Sequence, residues 1–391
     1  MIDPTWSTEH QRFRTEVREW LNDNLREVER DFPTSHFDGP AALPGLLEWE
    51  RRLRAARYNA VSWPTEFGGQ GYDHLRALIF GEEYFSANAP RRINYPALGL
   101  LGPTLMAVGS SKQRLDRLPR MLSCEEIWCQ GFSEPGSGSD LANLSTRAVR
   151  EGDHYRITGQ KVWVSNAHFA NRIFMLARTG EPGSRHKGLS YFLVDLKAAG
   201  VEVRPIRQVH GAALFAEVFF DQVRVPESDR VGAENEGWKV ANATLKVERD
   251  ASRYPMTFFQ NLFDELMIIL RATGAIHHDA VRIEAARLQA GIRRYQWNAY
   301  AASTSDRDEV GQLGSMSKLV RSNLQMGILE LGMQALGSRH ETGSEELPEG
   351  VGHDWHERYW YARASRIYAG TNEIQRNIIG ERLLGLPREP R

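Results

Sequence analysis

Hydroxyl, aromatic and carboxylate side chains suited to binding or reaction concentrate in four short stretches of this 391-residue chain. These are residues 128–140 (WCQGFSEPGSGSD), 159–166 (GQKVWVSN), 216–226 (AEVFFDQVRVP) and 368–376 (YAGTNEIQR), the last continuing through 377–387 (NIIGERLLGLP). Ser133 and Ser165 offer hydroxyl donors and Trp163 an aromatic wall, a set suited to a flat, largely apolar ring with a polar edge. Commoner chemistries are excluded. Gly136-Ser137-Gly138-Ser139 does not continue as G-x-G-x-x-G, and no βαβ pattern surrounds it. P-loop, G-x-S-x-G and H-E-x-x-H motifs are absent. Cys124 and Cys129 are the only cysteines, too few for a disulfide framework and without zinc-ligand partners. His277 and His278 are adjacent and point apart on a helix, so no metal site is expected. Any redox cofactor must therefore be held by other means. Bland readings also apply: Glu134 reads as a structural loop carboxylate, and Gly136 and Gly138 as turn residues.

Three successive regions must position these stretches. The first is helical. Ser7-Thr8-Glu9-His10 can cap a helix carrying Phe13, Val17, Trp20 and Leu21 at i, i+4, i+7 and i+8. Further helices are predicted over 43–57, 74–86, 102–109 and 112–123. Near Ile127 the pattern changes to short β-branched and aromatic runs at 146–149, 154–158, 172–178, 189–194, 201–206 and 216–225, separated by Gly, Pro and Asp. The spacing implies a small antiparallel barrel or sandwich. Long helices then return at 238–253, 258–272, 279–303, 314–336, 355–369 and 372–384, with the connections of an antiparallel bundle. The expected domains are 1–125, 126–235 and 236–391. With 41% hydrophobic and 25% charged residues the composition is globular, and a net charge of -1 gives no electrostatic case for nucleic acid or an anionic membrane. No apolar run approaches a membrane span and the first twenty residues have no signal core, so the expected compartment is the cytoplasm.

The four stretches, in this order and together with Trp63-Pro64-Thr65-Glu66-Phe67-Gly68-Gly69, resemble the acyl-CoA dehydrogenase family over nearly the whole chain. The resemblance implies an α+β, mostly α fold: an N-terminal helical domain, a middle antiparallel β-barrel and a C-terminal four-helix bundle. It implies FAD, with Gln130, Phe132 and Ser133 along the flavin's pyrimidine side, Trp163 and Ser165 near its N5 edge, and Thr371 and Glu373 at its phosphate and sugar region. Ser139 matches a position that contacts bound acyl-CoA, and Tyr368, Ala369 and Gly370 belong to the same substrate site. Arg271 and Gly337 match cofactor contacts made across a subunit boundary. Arg271-Ala272-Thr273-Gly274 lacks the Phe of the family's R-x-x-F-G, which departs from the usual cross-subunit pattern. A homodimer or homotetramer is implied, with an electron-transferring flavoprotein as acceptor.

Dehydrogenation of an acyl thioester removes a proton from the α carbon and a hydride from the β carbon. The α C–H is so weakly acidic that a positioned base and a polarised carbonyl are required. Many family members carry that base as a Glu directly after the Tyr of Y-x-G-T; here the residue is Ala369, whose methyl group accepts no proton. Other members carry it in an L-x-x-E-R segment on the first helix after the β domain. Leu245-Lys246-Val247-Glu248-Arg249 matches, which makes Glu248 the expected base and Arg249 a thioester-site neighbour. Carbonyl polarisation by the Ala369 backbone N–H survives the exchange. The expected activity is conversion of an acyl-CoA, or a related acyl thioester, to its 2-enoyl form. Two rivals are a flavin monooxygenase on the same fold, which needs no Glu base, and a non-catalytic acyl-CoA-binding subunit, which needs no intact flavin-edge set. Tyr95, Pro96, Leu98 and Tyr254 are candidates for shaping the acyl pocket.

Overall fold

The computed structural model describes residues 7–32, 40–248, 255–304, 307–338, 346–352 and 355–388. The chain groups into two compact units: Asp23–Tyr72 with Pro90–Glu248, and Met1–Asn22 with Asp73–Ala89 and Arg249–Arg391. Helix α1 (Thr8–Asp31) contributes to both, burying Phe13, Val17, Leu21, Leu25 and Val28 at helical spacing.

The first unit is built on a sheet whose strands alternate between two cores. Its strands are β1 (Trp128–Gly131), β2 (Arg147–Glu151), β3 (His154–Ser165), β4 (Arg172–Arg178), β5 (Leu189–Asp195), β6 (Val201–Ile206), β7 (Phe215–Pro226) and β8 (Arg230–Val231). They are ordered β6-β7-β3-β2-β4-β5-β8, with β1 added alongside β4. Phe174 and Leu176 of β4, with Tyr191 and Leu193 of β5, pack on one face against Leu101, Leu105, Val240 and Ala241. The intervening Ile173, Met175 and Ala177, with Phe192 and Val194, pack on the other against Tyr155, Ile157 and Val218. Strands covered on both faces carry the near-continuous apolar runs seen in the sequence. Helices α2 (Leu43–Ala55), α4 (Gly102–Val108), α5 (Ser111–Leu122) and α6 (Gly237–Glu248) complete the unit. Ser110 and Gln113 form a reciprocal capping box at the start of α5.

Two features differ from the strand pattern expected of the sequence. The four-residue β1 is a strand, and it pairs with β4 in parallel, as Arg147 of β2 also does with Arg178. The other pairings are antiparallel. Strand β3 continues to Ser165; a register shift against β7 between Ile157 and Gly159 leaves its alternation intact through Lys161, and a second between Lys161 and Val164 breaks it.

The second unit is helical: α3 (His74–Ser86), α7 (Met256–Ala272), α8 (Asp279–Thr304), α9 (Arg307–Leu336), α10 (Trp355–Ala362) and α11 (Asn372–Ile378). Helix α9 packs against α7, α8, α10 and α11. Phe259, Leu262, Phe263, Leu266, Ile269 and Leu270 form the buried stripe of α7, and meet Leu288, Ile292 and Tyr295 of α8 and Leu324, Ile328 and Leu329 of α9. Helix α10 stops at Ala362, earlier than its pattern predicts, and gives way to a 3-10 turn at Arg363–Arg366. Ala369 (φ +55°) and Gly370 (φ +80°) are both left-handed, a conformation that ends a right-handed helix. Helix α11 gives way to a π turn at Ile379–Leu383. Among the described residues no helix is long and apolar enough to cross a membrane, and no cluster of three or more His, Cys, Asp or Glu could hold a metal.

Candidate functional site

In the sheet unit the second register shift of β3 sets the geometry. Within it Trp163 takes φ +58°, uncommon for a residue with a Cβ, between half-buried Val162 and buried Val164. The bulge turns the indole outward, so that it is 58% exposed and lies edge-on to the Phe215 ring, 6.1 Å away between centroids. The Val162 N–H donates to the Ser133 carbonyl at 3.0 Å, which pins Ser133 beside the bulge. Sequence stretches 128–140 and 159–166 are thus joined at one place. The Ser133 and Ser165 hydroxyls and the Gln130 amide make no hydrogen bond among the described residues and stay available to a ligand. The Phe132 ring faces the core, edge-on to Phe174 at 6.0 Å and Tyr191 at 5.9 Å, so its contribution to a ligand is through the main chain. Ser139 is exposed in a turn where Gly136 and Gly138 have open space around them.

Beneath this surface lies a buried ion pair. Lys161 Nζ donates to Glu134 Oε1 at 2.7 Å and to the Phe132 carbonyl at 3.3 Å. Glu134 also accepts from Ser145 N at 2.6 Å, Ser145 Oγ at 2.8 Å and Thr146 N at 3.0 Å. Although burial opposes its ionisation, the Lys161 ammonium and these donors hold the Glu134 carboxyl down to about 2. Burial lowers the Lys161 ammonium. Glu134 is therefore fully committed to structure, as its loop position suggests. A carboxyl with a depressed folded pKa contributes stability that is complete above its unfolded value of about 4.5 and is lost as pH falls towards about 2. Urea midpoints measured from pH 6 down to pH 3 are expected to fall more steeply for the wild type than for Glu134→Gln; parallel curves would contradict this.

Helix α6 is fixed by Thr244, whose hydroxyl lies 2.9 Å from Thr104 Oγ1 and 3.3 Å from the Tyr191 hydroxyl. Glu248, one turn later, is the last described residue of α6; its side chain, with Arg249 and Tyr254, lies outside the described residues. Residues Pro96–Leu101 form a π turn against α4 and α6. Trp63 Nε1 donates to the Leu98 carbonyl at 2.8 Å, and a Cβ on Gly102 would sit 2.0 Å from the same indole, so only glycine lets α4 start there. Pro96 is half-buried and Leu98 buried, while the Tyr95 ring covers Gly99.

In the helical unit, Thr371 caps α11 by accepting from Ile374 N at 3.2 Å, and Glu373 pairs with Arg376 on the exposed first turn. Tyr368, Ala369 and Gly370 are half-buried, and the Ala369 carbonyl accepts from Gln375 Nε2 at 2.9 Å. Arg271 is exposed at the end of α7, and left-handed Gly337 follows α9. Lys318 and Asn372, absent from the sequence-based site, are buried and bonded to each other at 2.8 Å. Burial, with Arg321 nearby, lowers the Lys318 ammonium to about 8. Two signals for the missed residues lay in the sequence. Lys161 shares strand parity with Tyr155 and Ile157, and Ser315, Lys318 and Ser322 follow one another at i, i+3 and i+7.

Three family models match consecutive stretches: the acyl-CoA dehydrogenase N-terminal domain over residues 7–125, the middle domain over 129–223 and the C-terminal domain over 235–384. Acyl-CoA dehydrogenase IpdE1 of Mycobacterium tuberculosis is 42% identical over 385 residues, covering 96% of this chain and 98% of that protein. Among solved structures, the steroid ACAD Tcur3481-Tcur3483 superposes with a TM-score of 0.84 at 26% identity, covering 99% of this chain and 100% of that one. The ChsE4-ChsE5 complex of Mycobacterium tuberculosis gives 0.81 at 28% identity, with 99% and 100% covered.

Proposed function

The chain belongs to the acyl-CoA dehydrogenase family of oxidoreductases, and on that premise we propose that it is an FAD-dependent enzyme forming 2-enoyl thioesters, with Glu248 as the α-proton base. The observation that carries this reading is the bulge at Trp163, which presents an exposed indole beside two uncommitted hydroxyls. That donor set fits a flat heterocycle with a polar edge: Trp163 supplies the apolar wall, while Ser133, Ser165 and Gln130 supply hydrogen bonds. Thr371 and Glu373 are proposed for the cofactor's phosphate and sugar region. FAD, when bound, supplies the two-electron acceptor for the β hydride. The chain's own residues do the rest. Glu248 takes the α proton, and the Ala369 N–H donates to the thioester carbonyl as negative charge develops on its oxygen. Ser139, Arg249 and Tyr368 orient the acyl-CoA. An electron-transferring flavoprotein is the proposed final acceptor.

The acyl group is proposed to be bulky and polycyclic, because a structure similar over the full chain is named a steroid ACAD. For assembly, a homodimer or homotetramer is one reading. The second is a two-chain assembly, favoured by the missing Phe after Arg271 and by both structural neighbours, each named as a pairing of two proteins. Light scattering on the protein alone separates them: a homo-oligomer with full FAD supports the first, and FAD retained only with a second polypeptide supports the other.

The test of function is anaerobic mixing of the yellow protein with a panel of straight-chain and steroid acyl-CoAs. Bleaching of the flavin absorbance by at least one is expected. Trp163→Ala is expected to lower FAD occupancy, since base–aromatic stacking is worth roughly 1–3 kcal/mol. Colourless protein that takes up no added FAD would instead favour a non-catalytic acyl-CoA-binding subunit.

A further inference from the structure

Lys318 is 1% exposed on α9, yet carries an ammonium group. Its hydrogen bond goes to Asn372 Oδ1 at 2.8 Å, an oxygen that also accepts from Ser322 Oγ at 3.1 Å. Among the described residues its one hydrogen-bond acceptor is neutral, Arg321 adds repulsion and the Glu373 carboxylate offsets the cost of burial only in part. This cation is therefore poor evidence of stabilisation and calls for another role. Asn372 is the first residue of α11, directly after the cap Thr371. One turn further in, buried Gln375 reaches back to the Ala369 carbonyl at 2.9 Å. A Cβ on Gly370 would lie 2.6 Å from that same Gln375 nitrogen, so the amide fills the hollow of the turn. The left-handed Ala369-Gly370 pair is thus tied to α11 by Gln375, and α11 is tied to α9 by Lys318 and Ser322. A non-glycine residue at φ +55° persists only where its surroundings over-determine it, and these bonds supply that constraint.

We propose that Lys318 is a positioning residue: through Asn372 it holds the Ala369-Gly370 turn so that the Ala369 N–H stays aimed at the thioester carbonyl. This rests on the reading above, in which that N–H polarises the carbonyl. Lys318 touches neither substrate nor cofactor in this account; it acts through α11.

The test compares Lys318→Met, Ser322→Ala and Asn372→Asp with wild type, each as the FAD-loaded oligomer. The probe is the acyl-CoA that bleaches the wild-type flavin fastest, labelled with 13C at the thioester carbonyl. Flavin reduction at saturating probe is expected to slow by about 10²-fold in Lys318→Met, the order of effect of a displacement of about 1 Å at a reacting group. FAD content and probe affinity should change little. The carbonyl stretch of the bound probe, read by isotope-edited infrared spectroscopy, should move back towards its frequency in water. Asn372→Asp keeps the acceptor and should stay close to wild type. Ser322→Ala removes one arm and should fall between; it carries the test if Lys318→Met does not fold. A wild-type rate in folded Lys318→Met or Ser322→Ala overturns the proposal, as does a slow rate with an unshifted carbonyl band, which marks a merely structural role. If no acyl-CoA bleaches the wild type, the dehydrogenase reading itself fails, and this proposal with it.

Discussion

Glu248→Gln is expected to leave a yellow, correctly assembled protein whose flavin is no longer bleached by acyl-CoA. The reaction needs one carboxylate to accept the α proton. The position after Tyr368 is Ala369, which cannot serve, and Glu248 lies on the helix that follows the β domain. Gln keeps the volume and the hydrogen-bonding carbonyl but has no basic oxygen. Loss of a general base costs about 10² to 10⁴ in rate, or roughly 3 to 5 kcal/mol of transition-state stabilisation. Helix α6 itself should be undisturbed, because its anchor is Thr244, bonded to Thr104 and Tyr191 one turn earlier. Stopped-flow absorbance under anaerobic conditions measures the effect, with bound FAD and acyl-CoA affinity as controls. Unimpaired bleaching in Glu248→Gln would place the base elsewhere. Oxygen-dependent turnover persisting in the variant would instead favour a flavin monooxygenase, whose chemistry needs no such carboxylate.

The order of helices, strands and helices is legible because each element buries a face, and burial imposes its period on the residues. Strands β4 and β5 read cleanly as apolar runs because both of their faces are covered. Strand β1 did not, since four residues are too few to show a period and its partner β4 comes more than forty positions later in the chain. The grouping of Asp73–Ala89 with the C-terminal helices is equally silent in a linear reading, because it depends on contacts between distant segments. In the candidate site, Ser133, Trp163 and Ser165 stand out by type and by resemblance. What brings Ser133 beside Trp163 is a main-chain bond from Val162, and a backbone donor leaves no mark in the sequence. Lys161 and Lys318 were missed for a different reason. A lysine is ordinarily solvated, so its presence on a buried face is visible only when strand parity or helix phase is followed residue by residue.

Removing one partner of the Glu134–Lys161 pair is expected to produce the largest loss of stability in the sheet unit. Glu134→Ala strands a buried ammonium and leaves the Ser145 and Thr146 N–H groups, with the Ser145 hydroxyl, without their acceptor. Breaking a buried pair from one side typically costs about 3 to 5 kcal/mol. Thermal unfolding should record this as a fall on the order of 10 °C, given about 2 to 4 °C per kcal/mol for a domain of this size. The double variant Glu134→Leu with Lys161→Met distinguishes two reasons for keeping the pair. Replacing both charges with apolar groups is often neutral for stability, so the double variant should recover much of the lost unfolding temperature. It should not recover FAD binding to the same degree. Lys161 also donates to the Phe132 carbonyl, and Glu134 adjoins Ser133, so the pair shapes the main chain proposed to meet the flavin. Recovered stability with poor FAD occupancy would mean the pair is kept for the geometry of that loop. Recovery of both would reduce it to a dispensable buried charge, and recovery of neither would show that the Ser145 and Thr146 donors, rather than Lys161, dominate what Glu134 contributes.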